Sequence, residues 1–157
     1  MRIALLALPL AGAGLLVAAE LSTLYEIRVA TAVPAGGSFS TGGHHGYALA
    51  LIAVGIVPMA AGAVLGGSRP AAVALLVLAA VALAIALAVD LPDVHETGLI
   101  GRTYEAARAE PRAGLYLEIA GGCAALVGAL PILLARPPAR RRYDAEKVRR
   151  APRRVQR

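Results

Sequence analysis

A chain of 157 residues that is 58% hydrophobic and 17% charged, with a mean hydropathy of +0.66, lies outside the composition of an ordinary soluble domain and reads as an integral membrane protein. The net charge of +6 is local: residues 136–157 set ten basic side chains against Asp144 and Glu146, a balance of +8, so the remainder sums to −2. Cys123 stands alone, which excludes an internal disulfide and paired-thiol redox chemistry.

Four apolar runs approach the roughly 20 residues that cross about 30 Å of hydrocarbon, over 3–21, 47–66, 71–89 and 115–135. Each is expected to be helical, since within lipid only helices and closed barrels satisfy every backbone group and none of the runs alternates with a period of two. The predicted fold class is therefore all-α, an antiparallel bundle of four transmembrane helices over residues 1–135, followed by a basic tail, 136–157, expected to be disordered. The first run, "MRIALLALPLAGAGLLVAAE", also has the form of a secretory leader, with Arg2 ahead of the apolar core and Val17, Ala18 and Ala19 near a cleavage point. Its long apolar stretch favours an uncleaved span, with Pro9 in the first turns where proline costs little.

Between the first two runs, "LYEIRVATAV" places Tyr25, Ile27, Val29, Thr31 and Val33 in alternation with Glu26, Arg28, Ala30 and Ala32. "PAGG" and "SFST" follow, which predicts a small outer β-hairpin. Span two carries His44, Ala48, Leu51, Gly55, Met59, Gly62 and Gly66 at helical spacing, and span four carries Gly114, Glu118, Gly121, Ala125 and Gly128. Small residues at such steps let helix backbones approach in lipid. Pro58 should open span two locally. The loop after span three, "DLPDVHETGLIG", reads as irregular, and "RTYEAARAEP" as helical until Pro111.

Orientation follows the positive-inside rule. Arg2, Arg69 in the "GGSRP" turn, and the tail belong on the cytoplasmic side, so both termini are inside and two net-negative loops outside. The tail residues Arg136, Arg140, Arg141, Arg142, Lys147, Arg149 and Arg150 then act as a membrane anchor held by anionic lipid headgroups, at about 1 kcal/mol per basic residue near the surface. Nucleic acid is disfavoured as a partner because the tail lacks interleaved aromatics and any reader fold.

The outer helix ends bring together Glu20, His44, His45, Asp90 and Glu118, with Asp93, His95 and Glu96 from the loop. Imidazoles and carboxylates in one mouth suit a divalent metal or a proton relay. The candidate ligands are His44, His45, Asp90, Asp93, His95 and Glu118, set against the plainer reading of boundary residues reaching headgroup water. Glu118 stands out because an ionisable group inside a span needs a partner, for which His44, Arg102, Arg108 and Arg112 are the candidates. No catalytic constellation is present: there is no thiol pair, no histidine deep in a span for haem, and no Ser/His or His/Glu set within the bundle. No organic cofactor is implied.

The layout, together with "HGYALALIAVG" opening span two and "RRRYDAE" after span four, resembles the actinobacterial tryptophan-operon-associated membrane proteins. The resemblance implies a bacterial source and a membrane class but no activity, since that family's activity is itself unassigned. Two functional classes follow. One is an accessory or structural membrane protein whose outer loops bind another membrane or envelope protein. The other is a small transporter-like or ion-responsive protein, acting as a homo-oligomer through the outer His/carboxylate cluster.

Overall fold

The structure, a computed structural model, describes residues 3–29, 38–103 and 107–135. In chain order the elements are α1 (Ala4–Glu20), β1 (Thr23–Arg28), β2 (Ser38–Ser40), α2 (Thr41–His45), α3 (Ala48–Val64), α4 (Arg69–Ile85), a π-helical turn (Ala86–Asp90), α5 (Leu91–Asp93), α6 (Gly98–Thr103), β3 (Arg108–Pro111) and α7 (Ala113–Leu134). The anchor residues Arg136, Arg140, Arg141, Arg142, Lys147, Arg149 and Arg150 lie outside the described residues, as do Thr31 and Val33 of the expected hairpin.

The expectation of four transmembrane helices is overturned. Among the described residues two helices are long and apolar enough to cross a membrane: the continuous helix Arg69–Asp93, 25 residues, and Ala113–Leu134, 22 residues. Helices α1 and α3 have 17 residues each, a rise of about 25 Å that falls short of roughly 30 Å of hydrocarbon. The apolar runs that suggested longer spans are consumed at their ends by turns. After Glu20 the chain leaves α1 for the sheet, and α3 gives way to a turn in which Gly67 adopts φ 60°, a left-handed conformation that glycine takes without penalty. By contrast α4 starts cleanly, with Ser68 Oγ accepting from Ala71 N at 3.4 Å and Pro70 in the first turn, where its missing N–H is harmless.

All four longer helices are apolar, and they pack in antiparallel contacts, α1 against α3 and α7, and α4 against the same two. The closest contact is between α1 and α7, where the glycine stripe expected of span four is buried: Gly114, Glu118, Gly121, Ala125 and Gly128 all face inward. A Cβ on Gly12 would stand 2.6 Å from Ala125 N and 2.7 Å from Gly121 O, and one on Gly128 would stand 2.6 Å from Pro9 Cδ. The stripe proposed for span two takes a different place. Its Leu51 is exposed, and Gly55 and Gly62 meet Leu78 and Ala71 of α4, while the core face of α3 is Leu49, Ala53, Ile56, Ala60 and Ala63. The outward faces stay apolar, with Leu51, Val54, Val73, Val77 and Val127 exposed, a surface suited to hydrocarbon and costly in water.

The expected outer hairpin is also corrected. Strand β1 is the centre of a three-stranded antiparallel sheet in the order β2-β1-β3, and its longer partner comes from the second loop, with Glu26 opposite Glu110 and Ile27 opposite Ala109. Residues 108–111, read from sequence as the end of a helix, are thus strand; of the described part of that segment, Arg102 and Thr103 belong to helix α6. An isolated pair of strands is marginal, and here a third strand and the helix ends support the pair. Arg112 N donates to Leu24 O at 2.8 Å, Thr41 N donates to Ser22 O at 3.2 Å, and Leu24, Val94 and Leu115 form a second small core between sheet and helices. Arg28 and Arg112 pair with Glu26 and Glu110 across the sheet.

Candidate metal centre

Three elements converge beside the sheet: the C-terminal end of α2, the π-helical turn, and the first turns of α7. Helix α2 starts at Ser40, whose Oγ accepts from Gly43 N at 3.2 Å, and this short turn presents His44 and His45 as consecutive residues. Gly46 and Tyr47 then turn the chain into α3, both left-handed at φ 57° and 63°. Tyr47 holds a conformation unfavourable for a residue with a Cβ.

The buried face of α4 runs through Ala72, Leu75, Ala79 and Ala82 and continues at Ala86 and, four residues on, at Asp90, while Val89 stays at the surface. The helix widens to a π-helical turn over Ala86–Asp90. Pro92 supplies a cause, because its ring would clash with the carbonyl four residues back in a regular helix. π-helical turns of this kind recur at functional sites.

Asp90 is fully buried, and His45 Nε2 lies 2.6 Å from its Oδ1 with His44 Nε2 at 3.9 Å. The ligand atoms of His44, His45 and Asp90 all lie within 4.8 Å of one another. The imidazoles meet edge to face, with centroids 4.7 Å apart and planes at 81°. Despite its closeness, the His45–Asp90 contact is not aligned as a hydrogen bond, and both atoms lack a hydrogen-bond partner among the described residues. Ligand atoms gathered this closely without a hydrogen bond between them leave their lone pairs available to a cation. Neighbouring ligand atoms around a tetrahedral Zn²⁺ at about 2.0–2.2 Å would be separated by about 3.3 Å, a spacing that the two measured separations bracket. Two imidazoles and a carboxylate form a donor set for Zn²⁺ and similar first-row cations.

The other sequence candidates are placed as follows. Asp93 Oδ2 lies 3.2 Å from His44 Nε2, so it orients that ring from the solvent side. His95 is exposed, and its Nδ1 lies 2.9 Å from Leu91 O, apart from the cluster. Glu118 is fully buried, but its neighbours are Asp90, Thr41 and Glu20 rather than His44 or an arginine: Arg102 and Arg108 are exposed and Arg112 pairs with Glu26. Thr41 was not foreseen. It is fully buried, and its Oγ1 would lie 2.5 Å from a Cβ on Gly114, so Gly114 leaves the space the hydroxyl occupies one turn above Glu118. In the sequence it is one hydroxyl in a Gly- and Ser-rich stretch, with no periodicity to mark it. Glu20, the remaining buried carboxylate, accepts from Leu49 N at 2.7 Å and Ala50 N at 3.2 Å.

No protein-family model, curated protein or solved structure matches this chain. What can be said of its function rests on the cluster itself. The protein is small and mostly helical, with at least two helices able to span a membrane and a partly buried His/His/Asp group suited to a metal ion.

Proposed function

We propose that this is an ion-responsive membrane protein of the bacterial cell membrane, which binds a divalent transition-metal cation at its outer face through His44, His45 and Asp90. The observation that carries this reading is the convergence of two imidazoles on a buried carboxylate. A buried charge without compensation is costly, and a dication at this point would neutralise Asp90 and satisfy both imidazoles at once. Asp93 meets the same His44 nitrogen, Nε2, that faces Asp90, so on binding a cation it would release that nitrogen or join as a further oxygen ligand.

Orientation is argued from charge. Helices Arg69–Asp93 and Ala113–Leu134 run antiparallel, with Gly122 against Leu83 and Glu118 beside Asp90. The end bearing Arg69 and the basic tail is assigned to the cytoplasm and the sheet and cluster to the exterior. Tyr47 and Tyr116 are both exposed at the cluster end, as expected of aromatics at a membrane–water boundary. The tail would contact anionic headgroups.

A role in sensing or holding the cation suits one chain better than conduction. Below Glu118, the inward faces of α1, α3, α4 and α7 are Ala, Gly, Leu and Ile among the described residues, which offers an ion no polar path. Transport would require additional copies of the chain.

The test is direct. Protein purified without a histidine tag and titrated with Zn²⁺ should bind at least one equivalent, and His45→Ala and Asp90→Asn should each weaken that binding by tenfold or more. Absence of Zn²⁺, Ni²⁺ and Mn²⁺ binding by the wild type would sink the proposal and leave the outer sheet, as an interaction surface for another membrane protein, as the better reading.

A further inference from the structure

Asp90 has two carboxylate oxygens, and only Oδ1 faces the histidines. Beside it stands Glu118, flanked by Asp90 and by Thr41. Asp90, Glu118 and Thr41 are each fully buried. Glu118 lies within hydrogen-bonding reach of Asp90 and Thr41, but Asp90 Oδ2, both Glu118 oxygens and Thr41 Oγ1 are not aligned for a hydrogen bond with any described residue. The ion pairs that reach Asp90 come from His44 and His45 alone, and no ion pair among the described residues reaches Glu118. The nearest arginine in sequence, Arg112, is engaged at the sheet.

Two ionised carboxylates in a dry site repel, so either one of them keeps its proton or a cation stands between them. The Thr41 hydroxyl adds a neutral oxygen to the pair. It is fully buried, stands beside Glu118 in a space that Gly114 leaves open, and supplies a donor that a bound cation would use. From these residues we propose a second cation site, lined by oxygen alone, directly beneath the first: Asp90, Glu118 and Thr41 hold it, and the Asp90 carboxylate bridges the two cations. The proposal rests on the His44–His45–Asp90 site and extends it from one metal to two.

The two sites differ in chemistry. The outer one, with two imidazoles, favours borderline cations such as Zn²⁺. The inner one, with up to four oxygens if Glu118 binds through both of its own, favours hard cations such as Mn²⁺, Mg²⁺ or Ca²⁺. Exposure falls along the series, with side chains of His44 at 27%, His45 at 10% and Asp90 at 0%. A cation therefore reaches the inner site by way of the outer one, and carboxylate-bridged pairs of this kind place their metals about 3.5–4 Å apart.

Mn²⁺ is a probe that both sites accept and that reports its own neighbours. In the untagged wild type, Mn²⁺ titration should saturate at two equivalents per chain, with an electron paramagnetic resonance signal broadened by coupling between the two ions. Glu118→Gln should bind one equivalent, with the sharp spectrum of an isolated ion. Thr41→Val, a substitution of nearly equal volume, should weaken the second equivalent tenfold or more and leave the first unchanged, which keeps the test open should the glutamine variant fail to fold. One uncoupled Mn²⁺ in the wild type, bound equally well by Glu118→Gln and Thr41→Val, would overturn the inner site while leaving the outer one standing. No Mn²⁺ or Zn²⁺ binding at all would remove both.

Discussion

Glu20, the last residue of α1, caps the beginning of α3: its Oε1 accepts from Leu49 N at 2.7 Å and from Ala50 N at 3.2 Å. These are the N–H groups that an N-cap side chain ordinarily satisfies. The residue in the N-cap position, Tyr47, makes no such bond. A carboxylate 29 residues away takes its place, and its charge also suits the positive end of the helix dipole. Glu20→Ala should therefore lower stability by about 1–2 kcal/mol, and Glu20→Gln, which keeps an acceptor but not the charge, by less. Unfolding of both variants in mixed micelles is the measurement; equal stability of Glu20→Ala and wild type would show that the cap contributes nothing.

The α1–α7 contact makes a second expectation. A side chain on Gly12 would run into the backbone of Ala125 and Gly121, which cannot move aside as a flexible side chain does. Gly12→Val should destabilise the fold by about 1–3 kcal/mol or more. Gly14, two residues on, has nothing within 4 Å of its would-be Cβ, and Gly14→Ala should be neutral or stabilising by up to about 1 kcal/mol through helix propensity. Similar losses for the two variants would mean that the backbone contact is wrong.

Tyr25 offers a pH handle outside the spanning helices. Partial burial raises its phenol above the ordinary value of 10.0, helped by the nearby carboxylates of Asp93 and Glu96. In the unfolded chain the phenol ionises at its ordinary value, so above it the unfolded state loses a proton first. Stability should then fall as pH rises from that value through the higher folded one. The difference in phenolate absorbance between wild type and Tyr25→Phe follows this single group. Asp93→Asn combined with Glu96→Gln should shift its titration downward, toward but not past the ordinary value, since burial remains.

Sidedness can be read with reporter fusions. A reporter joined after Glu96, between the two spanning helices, should behave as external, and one joined after Arg142 as cytoplasmic. Replacing Arg140, Arg141, Arg142 and Arg149 by Gln should loosen that orientation, whereas replacing Arg102 and Arg108 should not. The reverse assignment would place the His cluster on the cytoplasmic side.

Metal binding should also be visible as stability. A ligand at 100 times its dissociation constant that binds only the folded state adds about 2.7 kcal/mol. Zn²⁺ in that excess should raise the unfolding midpoint of wild type and leave His45→Ala near its metal-free value.

Composition pointed to membrane character, and two helices among the described residues are long and apolar enough to span a bilayer. The glycine stripe of α7 was legible too: close approach in lipid demands small residues at helical spacing, and Gly121, Ala125 and Gly128 meet that demand in one run. The number of spanning helices was not. Hydropathy marks where apolar residues stop, but it does not say which of them are spent on turns. That is why 3–21 and 47–66 shortened to 17-residue helices, while the π-helical turn and α5 lengthened the third to 25. The hairpin misled for a related reason. Alternation in 25–29 identified a strand but not its partner, and β3 lies more than 80 residues further along the chain.

At the candidate site, residue types alone were enough to nominate His44, His45, Asp90 and Glu118, since ionisable groups beside apolar runs carry a solvation cost that needs a reason. Which of them meet was decided only in three dimensions. The left-handed pair Gly46–Tyr47 turns the chain from α2 into α3, and the glycine at 114 leaves the space that Thr41 takes beside Glu118. Neither carries a periodicity that would mark it in the sequence. Sequence by itself therefore determined the solvent this protein lives in and the side chains available to it. Tertiary structure decided their juxtaposition, because a buried carboxylate takes its partners from whichever backbone packs against it, and those backbones come from four separate parts of the chain.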